Sequence, residues 1–220
     1  MNKLLVAMAF VPASLFAVDG VTLINQAIVT AAGGFPYTIS QPGSYRLSGN
    51  LTVPDANTSA ILINASNVTL DLNGFAILGP TVCPNPSNPC SPTGTGNGVA
   101  YLNANNNSNV VVTNGTVSGM GNNGVYLLGN FGPNRVEKVQ AHSNGGNGIY
   151  VVYGTVTGNI ATLNGAYGIL ALFVTATGNQ AAFNSLGDMG VACPSAIIGN
   201  TSSLVFIGAS NCALANNATQ

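Results

Sequence analysis

The sequence predicts an all-β chain folded as a single right-handed parallel β-helix, a β-solenoid of roughly seven or eight coils. Three observations predict it. First, landmarks recur at near-constant intervals. Asn144, Asn164 and Asn184 are 20 residues apart, and Gly158-Asn159, Gly178-Asn179 and Gly199-Asn200 follow at 20 and 21. Second, a Gly before a β-branched residue recurs at Gly98, Gly124, Gly148, Gly168 and Gly190, at intervals of 26, 24, 20 and 22. Third, each unit holds short apolar runs broken by Gly or Asn and carries no helical periodicity. A unit this short cannot bury its apolar side chains alone, but it can when stacked on its neighbours. Successive coils then lie about 4.8 Å apart, with like residues over like. Asn suits the corners, because it tolerates left-handed backbone angles and its side-chain amides can form hydrogen-bonded ladders.

The N-terminus reads first as an address. In residues 1–17, Lys3 is the positive end, residues 4–11 are the apolar stretch, and small residues lead to a cleavage point after Ala17. Residues 18–42 form an N-terminal cap, either a short helix or a strand. Coils run from 43 to 200. Residues 79–97, with five prolines, are an insertion on one edge. Residues 201–220 close the C-terminal end. No later stretch is long and apolar enough to span a membrane, so the expected location of the mature chain is secreted or periplasmic.

The cysteines agree with export. Four are present, an even number, which allows three pairings. Cys83 and Cys90 bracket the Pro-rich loop, and Cys193 and Cys212 flank the C-terminal segment, so the expected bonds are local: 83–90 and 193–212. No Cys-x-x-Cys spacing occurs and the one histidine, His142, is remote in sequence, so no metal site is expected.

Residues 42–53 (PGSYRLSGNLTV), residues 67–77 (NVTLDLNGFAI) and the repeated segments VTGNIATLN at 156–164 and ATGNQAAFN at 176–184 carry a family resemblance. They resemble secreted bacterial right-handed parallel β-helix proteins of the pectin-lyase-like superfamily, over residues 35–217. The resemblance implies the fold and a carbohydrate-related setting. It implies no activity, since the fold hosts many.

Composition excludes more than it assigns. Charged residues make up 4% of the 220 residues, against about a quarter in ordinary soluble domains. Lys3, Arg46, Arg135 and Lys138 are all the basic residues, which excludes a nucleic-acid-binding patch. The acids beyond the leader are Asp19, Asp55, Asp71, Glu137 and Asp188, and no two are expected in one column at coil spacing. Arg135, Glu137, Lys138 and His142 form the one charged cluster of the coils, and a solvated ion pair accounts for it. Thr155/Thr157 and Thr175/Thr177 stack over two coils, too few for an ice-binding array, and Thr is an ordinary strand residue.

The runs after the repeated Gly carry the candidate site. With Val125, Ile149, Ile169 and Val191 stacked inward, alternation sends Tyr126, Tyr150 and Leu170 outward. Leu128, Val152 and Leu172 stand beside them, and Ala100 and Leu102 extend the pattern by one coil. An outer sheet face this apolar marks a contact surface, unless the chain's own loops cover it. Two functions follow as expectations. One is an exported, non-catalytic binding or structural module presenting this face to a glycan or to a partner chain, a second copy included. The other is a polysaccharide lyase or hydrolase relative, which requires an acid cluster. No cofactor is expected. Peptide mapping without reduction should recover the 83–90 and 193–212 bonds, and a cross-pair such as 83–193 would refute the local pairing.

Overall fold

The computed structural model describes residues 20–102, 108–129, 132–206 and 211–219. The expected leader, residues 1–17, and Asp19 lie outside the described residues. The chain winds into a parallel β-solenoid of about 7 turns with three outer faces.

The first face, here the tyrosine face, stacks Tyr37–Ile39, Ile61–Ile63, Val99–Tyr101 and Val125–Leu128. It continues through the first halves of Ile149–Thr157 and Tyr167–Thr177, then Gly187–Ala192 and Leu204–Phe206. The second, the threonine face, runs from Val21–Ile24 through Gly43–Leu47 and Val68–Asp71 to Ala196–Ile198 and Ala213–Ala215. The third, the histidine face, begins at Leu51–Thr52 and passes through the second halves of Val110–Ser118 and Asn134–His142 to Ile160–Thr162 and Gln180–Ala182. Strands lie parallel and in register, so alternate side chains of each coil enter a common interior.

That interior is a set of columns. Val99, Val125, Ile149 and Ile169 stack and are fully buried. Leu127, Val151 and Ala171 form the neighbouring buried column. One expectation is corrected here. Met189, not Val191, lies over Ile169, and Val191 lies over Ala171. The last Gly landmark falls 22 residues after its predecessor rather than 20, and a slip of two residues keeps both side chains inside while moving each one column along. Gly190 therefore lands in the outward column, over Leu170.

The corners rest on asparagine, in a way the sequence reading had only half right. Asn67, Asn73, Asn109, Asn114 and Asn216 do take left-handed angles, but beside the repeated Asn the left-handed residue is the one before it: Gly158, Gly178 and Gly199 at one corner, Ser143, Leu163 and Phe183 at another. The turn this makes sends the following Asn inward. Asn159, Asn179 and Asn200 are buried, as are Asn144, Asn164 and Asn184. The side-chain oxygens of Asn164, Asn179, Asn184 and Asn200 each accept from the backbone N–H and the amide of the Asn one coil below, while Asn144 and Asn159, at the foot of their ladders, accept from Met120 N and Val139 N. Asn144 donates to Asn164 Oδ1 at 3.1 and 3.0 Å, and Asn164 to Asn184 Oδ1 at 3.0 and 2.9 Å. The amides also satisfy interior carbonyls: Asn164 Nδ2 donates to Ala141 O at 3.1 Å. A third ladder, Asn97, Asn123 and Asn147, runs the opposite way, with donors on the later coil. The middle ladder ends on Asp188, whose Oδ1 accepts from both nitrogens of Asn184 while Oδ2 accepts from Ser203 Oγ at 2.8 Å.

Both ends and the insertion have their own devices. Residues 20–42 of the expected cap hold two strands, Val21–Ile24 and Tyr37–Ile39, and a helix between them. Val21–Ile24 pairs with the next coil, and the helix Gln26–Ala31 is capped by Asn25, whose side chain accepts from Ile28 N at 3.0 Å. Val29 on this helix is fully buried and closes the apolar interior at the N-terminal end. Cys83 and Cys90 are bonded, and their sulfurs lie 3.6 and 3.7 Å from the Asn144 carbonyl oxygen. The Pro-rich loop thus leans on the corner of Gly145 and Gly165; a Cβ on Gly165 would come within 2.9 Å of Cys90 Sγ. Cys193 is bonded to Cys212, tying the penultimate coil to the last.

The ladder makes a testable demand. Asn164→Ala leaves the Asn144 backbone N–H without its acceptor, takes from Asn144 Nδ2 one of its two acceptors (Val117 O remains) and removes the Asn164 amide from the Ala141 carbonyl, all at a buried corner. Each such group costs about 1–3 kcal/mol. The variant should lose about 3 kcal/mol or more in denaturant titration, while Thr162→Ala, two residues away and facing out, should change stability by about 0.5 kcal/mol or less.

Candidate functional site

The tyrosine face owes its outward columns to strand alternation. In register, Thr38, Leu62, Ala100, Tyr126, Tyr150 and Leu170 form one column, which ends at Gly190 and Val205. Leu128, Val152 and Leu172 form the second, with Leu102 at its lower end. Tyr126, Tyr150, Leu170, Leu128, Val152 and Leu172 are therefore brought together on one surface, each half-buried. Leu62 and Val205 lengthen the strip beyond the sequence reading. The signal for them was weak, because neither follows the repeated Gly at the usual interval. Gly190 interrupts the column without leaving a hole: a Cβ there would come within 3.0 Å of both Leu170 and the Tyr167 ring, which close over it.

The tyrosines form a stacked pair. The ring centroids of Tyr126 and Tyr150 are 4.9 Å apart and the planes differ by 28°. At that spacing the rings lie face over face, so one face of each ring is spent on the other. Burial raises the Tyr126 hydroxyl above its ordinary pKa; burial, and next the neighbouring Tyr126, raise that of Tyr150. A second aromatic pair, Tyr153 over Phe173, follows at the corner, with centroids 5.2 Å apart. Phe173 then lines a groove of about 450 Å³ with Pro194, Ser195 and Ala196.

The charged groups sit on the threonine face. One expectation is corrected. Asp71 and Glu137 do share a column, two coils apart, with Thr113 between them. The long insertion between residues 79 and 97 had hidden the register. Arg46 precedes Asp71 in the same column and pairs with it at 3.2 Å. Arg135, two residues before Glu137, pairs with it at 3.2 Å. Asp71 also accepts from Asn73 N and Asn114 Nδ2 at 2.7 and 3.3 Å. Asp55 holds its own turn, accepting from the backbone of Asn57 and Thr58, and Asp188 terminates an asparagine ladder. Every acid among the described residues is thus engaged in a structural contact. Thr155 and Thr157 do stack on Thr175 and Thr177, but Arg135 and Glu137 lie below and Ala196 and Ile198 above, which ends the array after two coils.

His142 stands on the histidine face between Ser118 and Thr162. Sequence spacing showed no partner; the register supplies Ser118, whose Oγ is 3.1 Å from His142 Nδ1. A serine beside an imidazole resembles half of a nucleophilic site. No carboxylate among the described residues orients this ring, and no group of three metal-ligating side chains occurs among them. Scans against protein-family models, curated proteins and solved structures each found no match.

The half-buried His142 predicts a pH dependence. Burial lowers its pKa below the ordinary 6.5. The folded chain therefore favours the neutral ring, so the unfolded chain binds the proton more readily. This contribution to stability is complete above pH 6.5 and is lost as the pH falls through that value. Thermal melts from about pH 8 to about pH 5.5 should show this loss, and His142→Gln should flatten it. Equal slopes in both proteins would refute the assignment.

Proposed function

We propose that this protein is an exported, non-catalytic β-solenoid of the pectin-lyase-like type that uses its tyrosine face to hold a partner chain. One observation carries the reading. On successive coils the two outward columns hold Tyr126, Tyr150 and Leu170, and Leu102, Leu128, Val152 and Leu172, with no charged side chain among them; Ala100, expected to extend the first column, is covered and only 1% exposed, so that column begins at Tyr126. A solvated sheet face alternates polar side chains outward. The mutual stacking of Tyr126 and Tyr150 occupies one face of each ring, which reduces the ring surface open to a pyranose and supports a protein partner. Two disulfides, and the absence of any long apolar helix among the described residues, are compatible with export.

A second reading rests on the shared column of Asp71 and Glu137. Two coil steps place their backbones about 9.6 Å apart, just beyond the about 6.5–9.5 Å carboxyl spacing of inverting glycosidases. Each carboxylate, however, faces a guanidinium on an open surface, whereas a general acid requires an apolar pocket. Binding is therefore the better supported function.

Changing Tyr126 and Tyr150 together to Ser tests it. Each large side chain withdrawn from water contributes about 1.5–3 kcal/mol. The double variant should melt close to the parent and lose capture of its extracellular partner in a pull-down from the native exterior fraction. Cleavage of any member of a glycan panel, lost in Asp71→Asn or Glu137→Gln, would instead establish the enzyme reading.

A further inference from the structure

The two ends of the solenoid are finished differently. At the first coil Ile24 and Val29 are both fully buried, and the helix seals the apolar interior. The last coil has no counterpart among the described residues. Leu214 occupies an inward column whose earlier members, from Tyr45 through Leu70, Val112 and Val136 to Ile197, are all buried. Leu214 itself is 49% exposed. Leu204 ends the neighbouring column half-buried, and a groove of about 340 Å³ opens between them, lined also by Ala215, Asn216 and Asn217.

The backbone at this end is open as well. Ala213 donates to Ser195 O at 2.9 Å, and Ala215 O accepts from Gly199 N at 2.9 Å. In a parallel ladder alternate residues turn their polar groups to the same neighbour. The N–H and C=O of Leu214 therefore point away from the preceding coil. Exposed strand edges are normally guarded by charge, by Pro or by a covering element. No charged residue follows Asp188, and no Pro follows Pro194. An unguarded edge over an uncovered core suits a strand supplied by another chain.

We propose that two copies associate tail to tail about a two-fold axis, the Ala213–Ala215 strand of each pairing antiparallel with that of the other. The partner is a second copy for three reasons. The edge is self-complementary in the antiparallel sense, because Leu214 opposite Leu214 satisfies both sets of backbone groups. No charged side chain occurs in residues 189–220, so no side-chain repulsion opposes the approach of two such ends. The opposite end has its core sealed, so apolar burial favours tail on tail over tail on head and closes the assembly as a dimer. This interface lies on the end of the solenoid and is independent of the tyrosine face.

Analytical ultracentrifugation of the oxidised, full-length chain tests the proposal across a wide concentration range. The parent should sediment at twice the chain mass. Leu214→Lys places a charge in the groove and should shift it to one chain mass, weakening association by at least about tenfold. Leu214 also contributes to the core, so a second variant protects the test. Asn216→Lys sits outside the core at an exposed corner, and the same corner already carries a left-handed lysine, Lys138, with φ 53° against 52° for Asn216. It should keep the parent's melting temperature and dissociate the dimer. The paired Tyr126→Ser, Tyr150→Ser variant should remain dimeric. A monomeric parent, a dimer unmoved by Asn216→Lys, or an open-ended filament would each overturn the proposal.

Discussion

The structure depends on register: each coil must lie on the last without slipping, and buried asparagine amides enforce this. An apolar interior of Val, Ile, Leu and Ala does not by itself hold register, since a slip of two residues replaces one buried methyl group by another. The displacement of Met189 into the Ile169 column demonstrates that tolerance. The amides do not tolerate slip. Asn164 accepts from one coil and donates to the next from a fully buried position, and moving it by one position strands several polar groups at once. An unpaired buried polar group costs far more than a displaced methyl group. Polar side chains, rather than hydrophobic ones, thus specify where each coil begins.

This division of labour explains why the outer faces vary freely. With register set at the corners, outward positions need only fit a strand. The threonine face accepts Arg, Glu, Thr and Ile in one column. The tyrosine face accepts Ala, Tyr and Leu in another. The apolar strip is therefore not a requirement of the fold, and its continuity over successive coils is better explained by contact than by stability. The paired acids of the threonine face yield to the opposite reasoning: each carboxylate already serves a guanidinium or a turn.

Much of the fold was legible in the sequence because repetition is itself a measurement. The intervals between Asn144, Asn164 and Asn184 gave the coil length, and the alternation after each Gly separated inner from outer side chains. Legibility failed where the period changed. The longer step to Gly190 moved Val191 by one column, and the insertion of residues 79–97 concealed that Asp71 and Glu137 are aligned. The partners of His142 and Asp188 were invisible for another reason. Ser118 and Ser203 meet them across coils, through side-chain geometry that no local pattern encodes. The corner residues were misread in part because Asn is the familiar left-handed residue, whereas Leu163 and Phe183 adopt that conformation here at the demand of the ladder beside them.

The bond between Cys83 and Cys90 bears on how the chain withstands proteolytic digestion. The insertion is its longest excursion from the coils, rich in exposed small and polar residues, and such loops are where proteases cut first. Closed as a ring with a sequence separation of 7, it has its ends held together by sulfur. A cut between residues 83 and 90 would open the ring without separating the coils before it from those after it. The same sulfurs rest against the Asn144 carbonyl, so the severed ends would stay docked on the asparagine corner. The loop can thus be sacrificed while the solenoid stays whole.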